Sequence, residues 1–130
     1  MRRGYLLDAS ALLAVLFKDP GAERVLRLID NSEIHAINLA EVVRKMMKVG
    51  VPETDIRTLL EELDLPVNDK FNADHAFAVA QLAHNNRAYG LSLGDCVCLS
   101  IARWMGQAAV TGDRRWSEIP DLNMKVVQIR

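Results

Sequence analysis

The chain has 130 residues, half of them hydrophobic and a quarter charged, and its 16 basic and 17 acidic residues leave a formal charge of −1. That length suits one domain, residues 1–130, which can bury roughly two-thirds of its unfolded surface and so needs no disulfide to fold. The composition excludes a disordered chain, and the near-zero charge excludes broad electrostatic binding of nucleic acid without a local basic patch or a metal.

Arg2-Arg3 and the apolar stretch to Phe17 superficially resemble a signal peptide, but Asp8 interrupts the stretch and Lys18-Asp19-Pro20 follows with no small-residue cleavage pattern. Nothing is long enough to span a membrane, so the expected location is the cytoplasm. Tyr5-Leu6-Leu7 reads as a strand buried on both faces, and Ala9 to Phe17 as a helix stopped near Pro20. Ala22, Val25, Leu26 and Ile29 have helical spacing. Ile34 to Ile37 forms the next strand, and Leu39, Val42, Val43, Met46 and Met47 line a helix ending at Gly50. Ile56, Leu59, Leu60 and Leu63 mark another helix, and Leu65-Pro66-Val67 a short strand whose proline suits a start or an edge. Ala73, Ala76, Phe77, Ala80 and Ala83 are the apolar stripe of a further helix. Leu93 to Met105 is a largely apolar, central one, and Ala108–Val110 and Val126-Val127 are the last strands. Strands separated by helices predict an α/β fold, a parallel sheet with helices on both faces. Ligands of such sheets bind beyond the carboxyl ends of the strands.

Cys96 and Cys98 stand two apart on one helix, where side chains do not face each other, and there is no third cysteine. They read as reduced packing thiols.

Four acids fall near that sheet edge: Asp8 ends the first strand, Glu41 and Asp95 stand in first helical turns, and Asp113 follows the strand Ala108–Val110. Each has a structural reading. Asn38-x-x-Glu41 and Ser92-x-x-Asp95 resemble capping boxes, Asp8 can cap the helix from Ala9, and Asp113 can sit in a turn after Gly112. Gathered together they demand more. Two like charges about 4 Å apart repel by roughly 4 kcal/mol at an effective dielectric of about 20. Helix N-termini offset only roughly 0.3–1 kcal/mol each. The remainder calls for protonation or a divalent cation, and an all-oxygen set favours Mg²⁺ or Mn²⁺ over zinc.

The motifs Leu6-Leu7-Asp8-Ala9-Ser10-Ala11-Leu12, Asn38-Leu39-Ala40-Glu41-Val42, Leu91-Ser92-Leu93-Gly94-Asp95-Cys96 and Val110-Thr111-Gly112-Asp113-Arg114-Arg115-Trp116 resemble, in this order and over nearly the whole chain, those of the PIN-domain ribonucleases. The likeness is greatest to the VapC-type toxins of toxin–antitoxin pairs. The resemblance implies a three-layer α/β/α sandwich with a central parallel sheet and Mg²⁺-dependent cleavage of RNA. It also implies a cognate antitoxin that blocks the site, and a homodimer. It makes Asp8 and Asp95 the main metal ligands, with Glu41 and Asp113 acting through waters, holding a second metal or orienting the attacking water. Ser10, Asn38 and Thr111 match its supporting polar positions.

Arg44, Lys45, Lys48, Arg114 and Arg115 are candidate RNA-phosphate contacts, against the alternative of a solvated face. Trp116 can stack on a base, though packing is commoner for such a residue. Trp104 reads as core or a dimer contact, and His35, His75 and His84 lack metal spacing and read as non-catalytic. The rival enzyme class is a haloacid-dehalogenase-type phosphatase with Asp8 as nucleophile, but the second aspartate it needs is Ser10 here. The other rival is a non-catalytic RNA- or protein-binding module on the same fold.

Overall fold

The computed structural model describes residues 3–130, so Arg2 of the basic pair lies outside the described residues. The chain runs β1 (Tyr5–Leu7), α1 (Ala9–Phe17), α2 (Ala22–Leu28), β2 (Ser32–His35), α3 (Ala36–Lys48), α4 (Glu53–Leu63), β3 (Val67–Asn68), α5 (Ala73–Asn85), α6 (Leu93–Met105), β4 (Ala108–Thr111) and β5 (Val126–Gln128). Short 3₁₀ turns stand at Ile29–Asn31, Arg87–Tyr89 and Arg114–Glu118. The sheet order is β3-β2-β1-β4-β5 and every pairing is parallel. The chain builds outward from β1 to β3, then returns to place β4 on the other side of β1. The switch point therefore lies between β1 and β4, where crossover helices leave on opposite faces and open a crevice at the carboxyl ends.

Side chains alternate across the sheet, and the core divides with them. Leu6 and Ala109 face α5 and α6, packing with Val79, Leu82, Val97, Leu99, Ile101 and Trp116. Leu7 and Val110 face the other way onto Ala11, Ala14 and Val25. Next to them Leu12, Ile34, Val42, Met46 and Ile56 join α1, β2, α3 and α4. These are the three layers expected. Cys96 and Cys98 are free and buried, and burial pushes both thiols up, Cys96 to about 11, with the Asp95 charge adding to it. Both are packing groups rather than nucleophiles.

Several boundaries and faces differ from expectation. The second strand lies two residues earlier than Ile34–Ile37, because His35 Nδ1 accepts the Ile37 N–H and caps α3, turning the chain into helix at Ala36. The third strand begins at Val67 rather than Leu65, although the Pro66 carbonyl already accepts the Ile34 N–H, as an edge proline can. The alanine stripe of α5 is not its buried face. Ala73, Ala76, Phe77 and Ala80 are exposed, Phe77 at 77%, while His75, Val79 and Leu82 are buried. An Asn72–His75 capping box sets the helix rotation, and the larger Val79 and Leu82 take the core. Leu26, Met47 and Leu59 are also exposed. Trp104 is 60% exposed and so is not core; it sits edge-on against His75, ring centroids 4.4 Å apart.

Candidate active site

Asp8 leaves β1 in extended conformation and caps α1. Its Oδ1 accepts from Ser10 Oγ (2.7 Å) and the Ala11 N–H (2.8 Å), and its Oδ2 accepts from Thr111 Oγ1 (2.5 Å). Ser10 and Thr111 join the ends of β1 and β4: Ser10 Oγ accepts the Gly112 N–H and Thr111 Oγ1 accepts the Asp113 N–H. Despite these donors, burial raises the Asp8 carboxyl from 3.8 to about 6, with the Asp95 charge adding a smaller push. Desolvation outweighs hydrogen bonding here because only 4% of the residue is exposed.

Asp95 stands at the third position of α6. Its Oδ2 accepts the Ser92 N–H (2.9 Å) and its own N–H bonds Ser92 Oγ (3.1 Å), the capping box the spacing suggested. The other suggested box does not form. Since His35 caps α3, Asn38 lies inside the helix and Glu41 falls in the second turn, not the first. Asn38 is buried and does something else: its Nδ2 donates to Glu41 Oε1 (2.9 Å) and to the Gly94 carbonyl (3.0 Å), locking α3 to the start of α6. A Cβ at Gly94 would stand 2.2 Å from Glu41 Oε1, so only glycine permits this approach. Partial burial raises the Glu41 carboxyl, and the Asp95 charge raises it further. The Asp95 charge thus acts on both Asp8 and Glu41, in each case less than burial does.

Asp113 caps the turn Arg114–Glu118, and its carboxylate is covered by Arg115. The Arg115 hydrogen bonds hold this carboxyl below the usual range, against a smaller opposing effect of burial. All four acids line one cleft of about 390 Å³, together with Ala9, Ser10, Leu13, Arg44, Lys45 and Lys48. A second cleft of about 440 Å³, around Gly4, Arg103, Gln107 and Lys125, contains no acid.

The basic candidates separate. Arg44, Lys45 and Lys48 line the acidic cleft and belong to neither of the ion pairs found among the described residues, Arg57–Glu53 and Arg115–Asp113. Arg114 is exposed and donates to the Arg130 carbonyl. Arg115 is spent on Asp113 and on main-chain carbonyls, so it is no free phosphate contact. Trp116 is fully buried, which removes base stacking, because the α5–α6 core takes its ring. The sequence reading missed the Arg115 pairing, the Asn38 link to Gly94 and the tight approach at Gly94. Only the glycine beside an acid carried any signal.

Among the described residues, no three histidine, cysteine or acidic side chains are gathered closely enough to hold an ion as they stand. The donor chemistry nevertheless fits a hard cation. The cleft offers the carboxylate oxygens of Asp8, Glu41, Asp95 and Asp113, and burial, with a smaller push from the Asp95 charge, raises two of these carboxyls, Asp8 and Glu41.

A parallel α/β sheet with an acid-lined cleft at its switch point defines the class. The family model of the PIN domain matches residues 5–122, and the chain belongs to that family, one of nucleases. Solved structures share its fold. The DNA-bound VapBC of Salmonella typhimurium aligns at TM-score 0.74 and 19% identity, over 98% of this chain and 99% of that one. VapBC2 of Rickettsia felis, bound to a fragment of its promoter, aligns at 0.72 and 23%, over 94% and 96%. A toxin–antitoxin complex from Klebsiella pneumoniae aligns at 0.68 and 20%, over 90% and 93%. No curated protein matches.

Proposed function

We propose that the chain is a Mg²⁺- or Mn²⁺-dependent endoribonuclease and the toxin of a toxin–antitoxin pair. The observation that carries this reading is the cleft itself: Asp8, Glu41, Asp95 and Asp113 line it together with three cations of α3 that belong to no ion pair among the described residues. Asp8, Glu41 and Asp95, with Asp113 at the rim, would hold the cation. When bound it would neutralise charge on the scissile phosphodiester and activate the attacking water. Arg44, Lys45 and Lys48 bind the RNA backbone beside it and set its position. Asn38 keeps Glu41 pointed at the cleft, and Ser10 and Thr111 keep Asp8 ionised and aimed. To hold a cation, Asp8 and Glu41 would give up part of their present hydrogen bonds to Ser10, Thr111 and Asn38. The toxin assignment rests on the likeness in fold to complexes described as toxin–antitoxin and VapBC; their second component points to a cognate antitoxin here. A homodimer and a cytoplasmic site belong to the same proposal. Among the described residues no helix is long and apolar enough to cross a membrane.

The phosphatase alternative needs a second acid two residues beyond Asp8, and that position is Ser10, whose Oγ donates to Asp8 Oδ1. Purified chain incubated with total RNA tests the proposal. Cleavage is expected with Mg²⁺ or Mn²⁺, and none with chelator or with Asp8→Asn. Equal cleavage in chelator would refute it.

A further inference from the structure

The nuclease reading asks the Asp113 carboxylate for an ion, yet Arg115 already occupies it. Arg115 Nε donates to Asp113 Oδ1 (3.0 Å) and Oδ2 (3.1 Å), and Nη2 donates to Oδ2 (2.5 Å). The remaining nitrogen, Nη1, donates to the carbonyls of Tyr89 (3.0 Å) and Gly90 (3.1 Å). Every nitrogen of the guanidinium is engaged, in the bidentate geometry that makes arginine–carboxylate pairs specific. Gly90 has φ +63°, and a Cβ there would stand 3.0 Å from Nη1, so a glycine shapes the seat of the arginine. Those carbonyls just precede Ser92, the residue that caps α6 and holds Asp95.

We propose that Arg115 is a positioning residue that withholds Asp113 from the direct ligand set, so that one divalent ion per chain is held by Asp8, Glu41 and Asp95. This rests on the cleft being a metal-dependent nuclease site. The pair as a whole is neutral, so it adds no net charge to the cleft; freeing Asp113 adds a carboxylate.

Calorimetric titration of the full chain with Mn²⁺ tests it, with RNA cleavage measured in parallel. The native chain binds one Mn²⁺. Arg115→Ala tightens binding about fivefold or admits a second ion. The double variant Arg115→Ala/Asp113→Asn returns to one ion, within about threefold of the native affinity. Should Arg115→Ala fail to fold, Arg115→Met keeps the aliphatic stem without a cation or a donor for Asp113 and gives the same gain. A merely structural arginine would lower the melting temperature and leave Mn²⁺ affinity unmoved, which overturns the proposal. So does a loss of about tenfold or more in the double variant, since Asp113 would then be a ligand. Either result leaves the nuclease reading standing if the native chain still cuts RNA. A native chain that binds no Mn²⁺ overturns both, and one that binds a single ion but cuts no RNA overturns the nuclease reading while the affinities still decide the role of Arg115.

Discussion

Two helices each bring one carboxylate into the cleft, and they are built differently. α6 is buried without a break from Cys96 to Ala102 and runs through the core beside β1 and β4. Its acid sits at the mouth, fixed by Ser92 and favoured by the helix dipole. α3 buries only Asn38, Val42 and Met46, and its cleft side carries Glu41, Arg44, Lys45 and Lys48 in water. The first helix is therefore a rigid mount for the charge at the centre of the site. The second presents a hydrated, mostly cationic face to the cleft and is tied to the first by the Asn38 amide. The difference teaches that the two acids are not equivalent, although both stand near helix starts in the sequence.

The comparison breaks most sharply at Asp95. Asp95→Asn should lower RNA cleavage roughly 10²–10³-fold with the far-ultraviolet spectrum unchanged. Undiminished cleavage by the purified variant would remove Asp95 from its central place. Asn38→Ala severs the link between the helices and should cost about 10- to 100-fold, as loss of a ligand's supporting hydrogen bond does. A loss below twofold would mean that Glu41 needs no orienting. Replacing Arg44, Lys45 and Lys48 by alanine should weaken RNA binding while leaving Mn²⁺ affinity nearly unchanged. For single-stranded RNA the log–log salt slope should fall by about 0.7 for each phosphate no longer neutralised. An unchanged slope would return these residues to a solvated face.

A further effect concerns pH. The folded Asp8 carboxyl is raised above its unfolded value, so between 3.8 and about 6 the folded state binds the extra proton. Stability without metal then falls as pH rises through that window, by up to roughly 3 kcal/mol, and levels off above it. Asp8→Asn should flatten this slope. Denaturant melts of the two proteins at pH 4, 5, 6 and 7.5 measure it, and parallel curves would show that burial of Asp8 carries no such penalty.

Much of the fold was readable from local pattern. Apolar runs of strand length alternating with helical spacing leave a parallel sheet as the natural solution. That the four acids would face one cleft was readable because strand ends and early helical turns of such a sheet converge, although Glu41 falls in the second turn of α3 and not the first. What escaped depends on tertiary geometry. The stripe of α5 was misjudged because alanines tolerate either face, while the core selected Val79 and Leu82. The start of α3 was misjudged because a histidine supplied the cap usually left to serine or aspartate. The Arg115 guanidinium read as a candidate phosphate contact because spacing alone does not show that it folds back on Asp113, and the Tyr89 and Gly90 carbonyls that complete its seat are far away in sequence; packing, the commoner role for Trp116, is the one its ring takes in the α5–α6 core.

The central proposal is that the carboxylates lining the cleft with Asp95 hold a divalent cation. Thermal melting of the native chain and of Asp95→Asn, at pH 7.5 with chelator and then with Mn²⁺, tests it most directly. The account predicts that without metal the variant melts above the native chain, and that Mn²⁺ at about 100 times its dissociation constant stabilises the native chain by roughly 2.7 kcal/mol while leaving the variant unmoved. A variant that melts several degrees lower in chelator, with Mn²⁺ shifting both proteins alike or neither, would show that these acids serve as helix caps and nothing more.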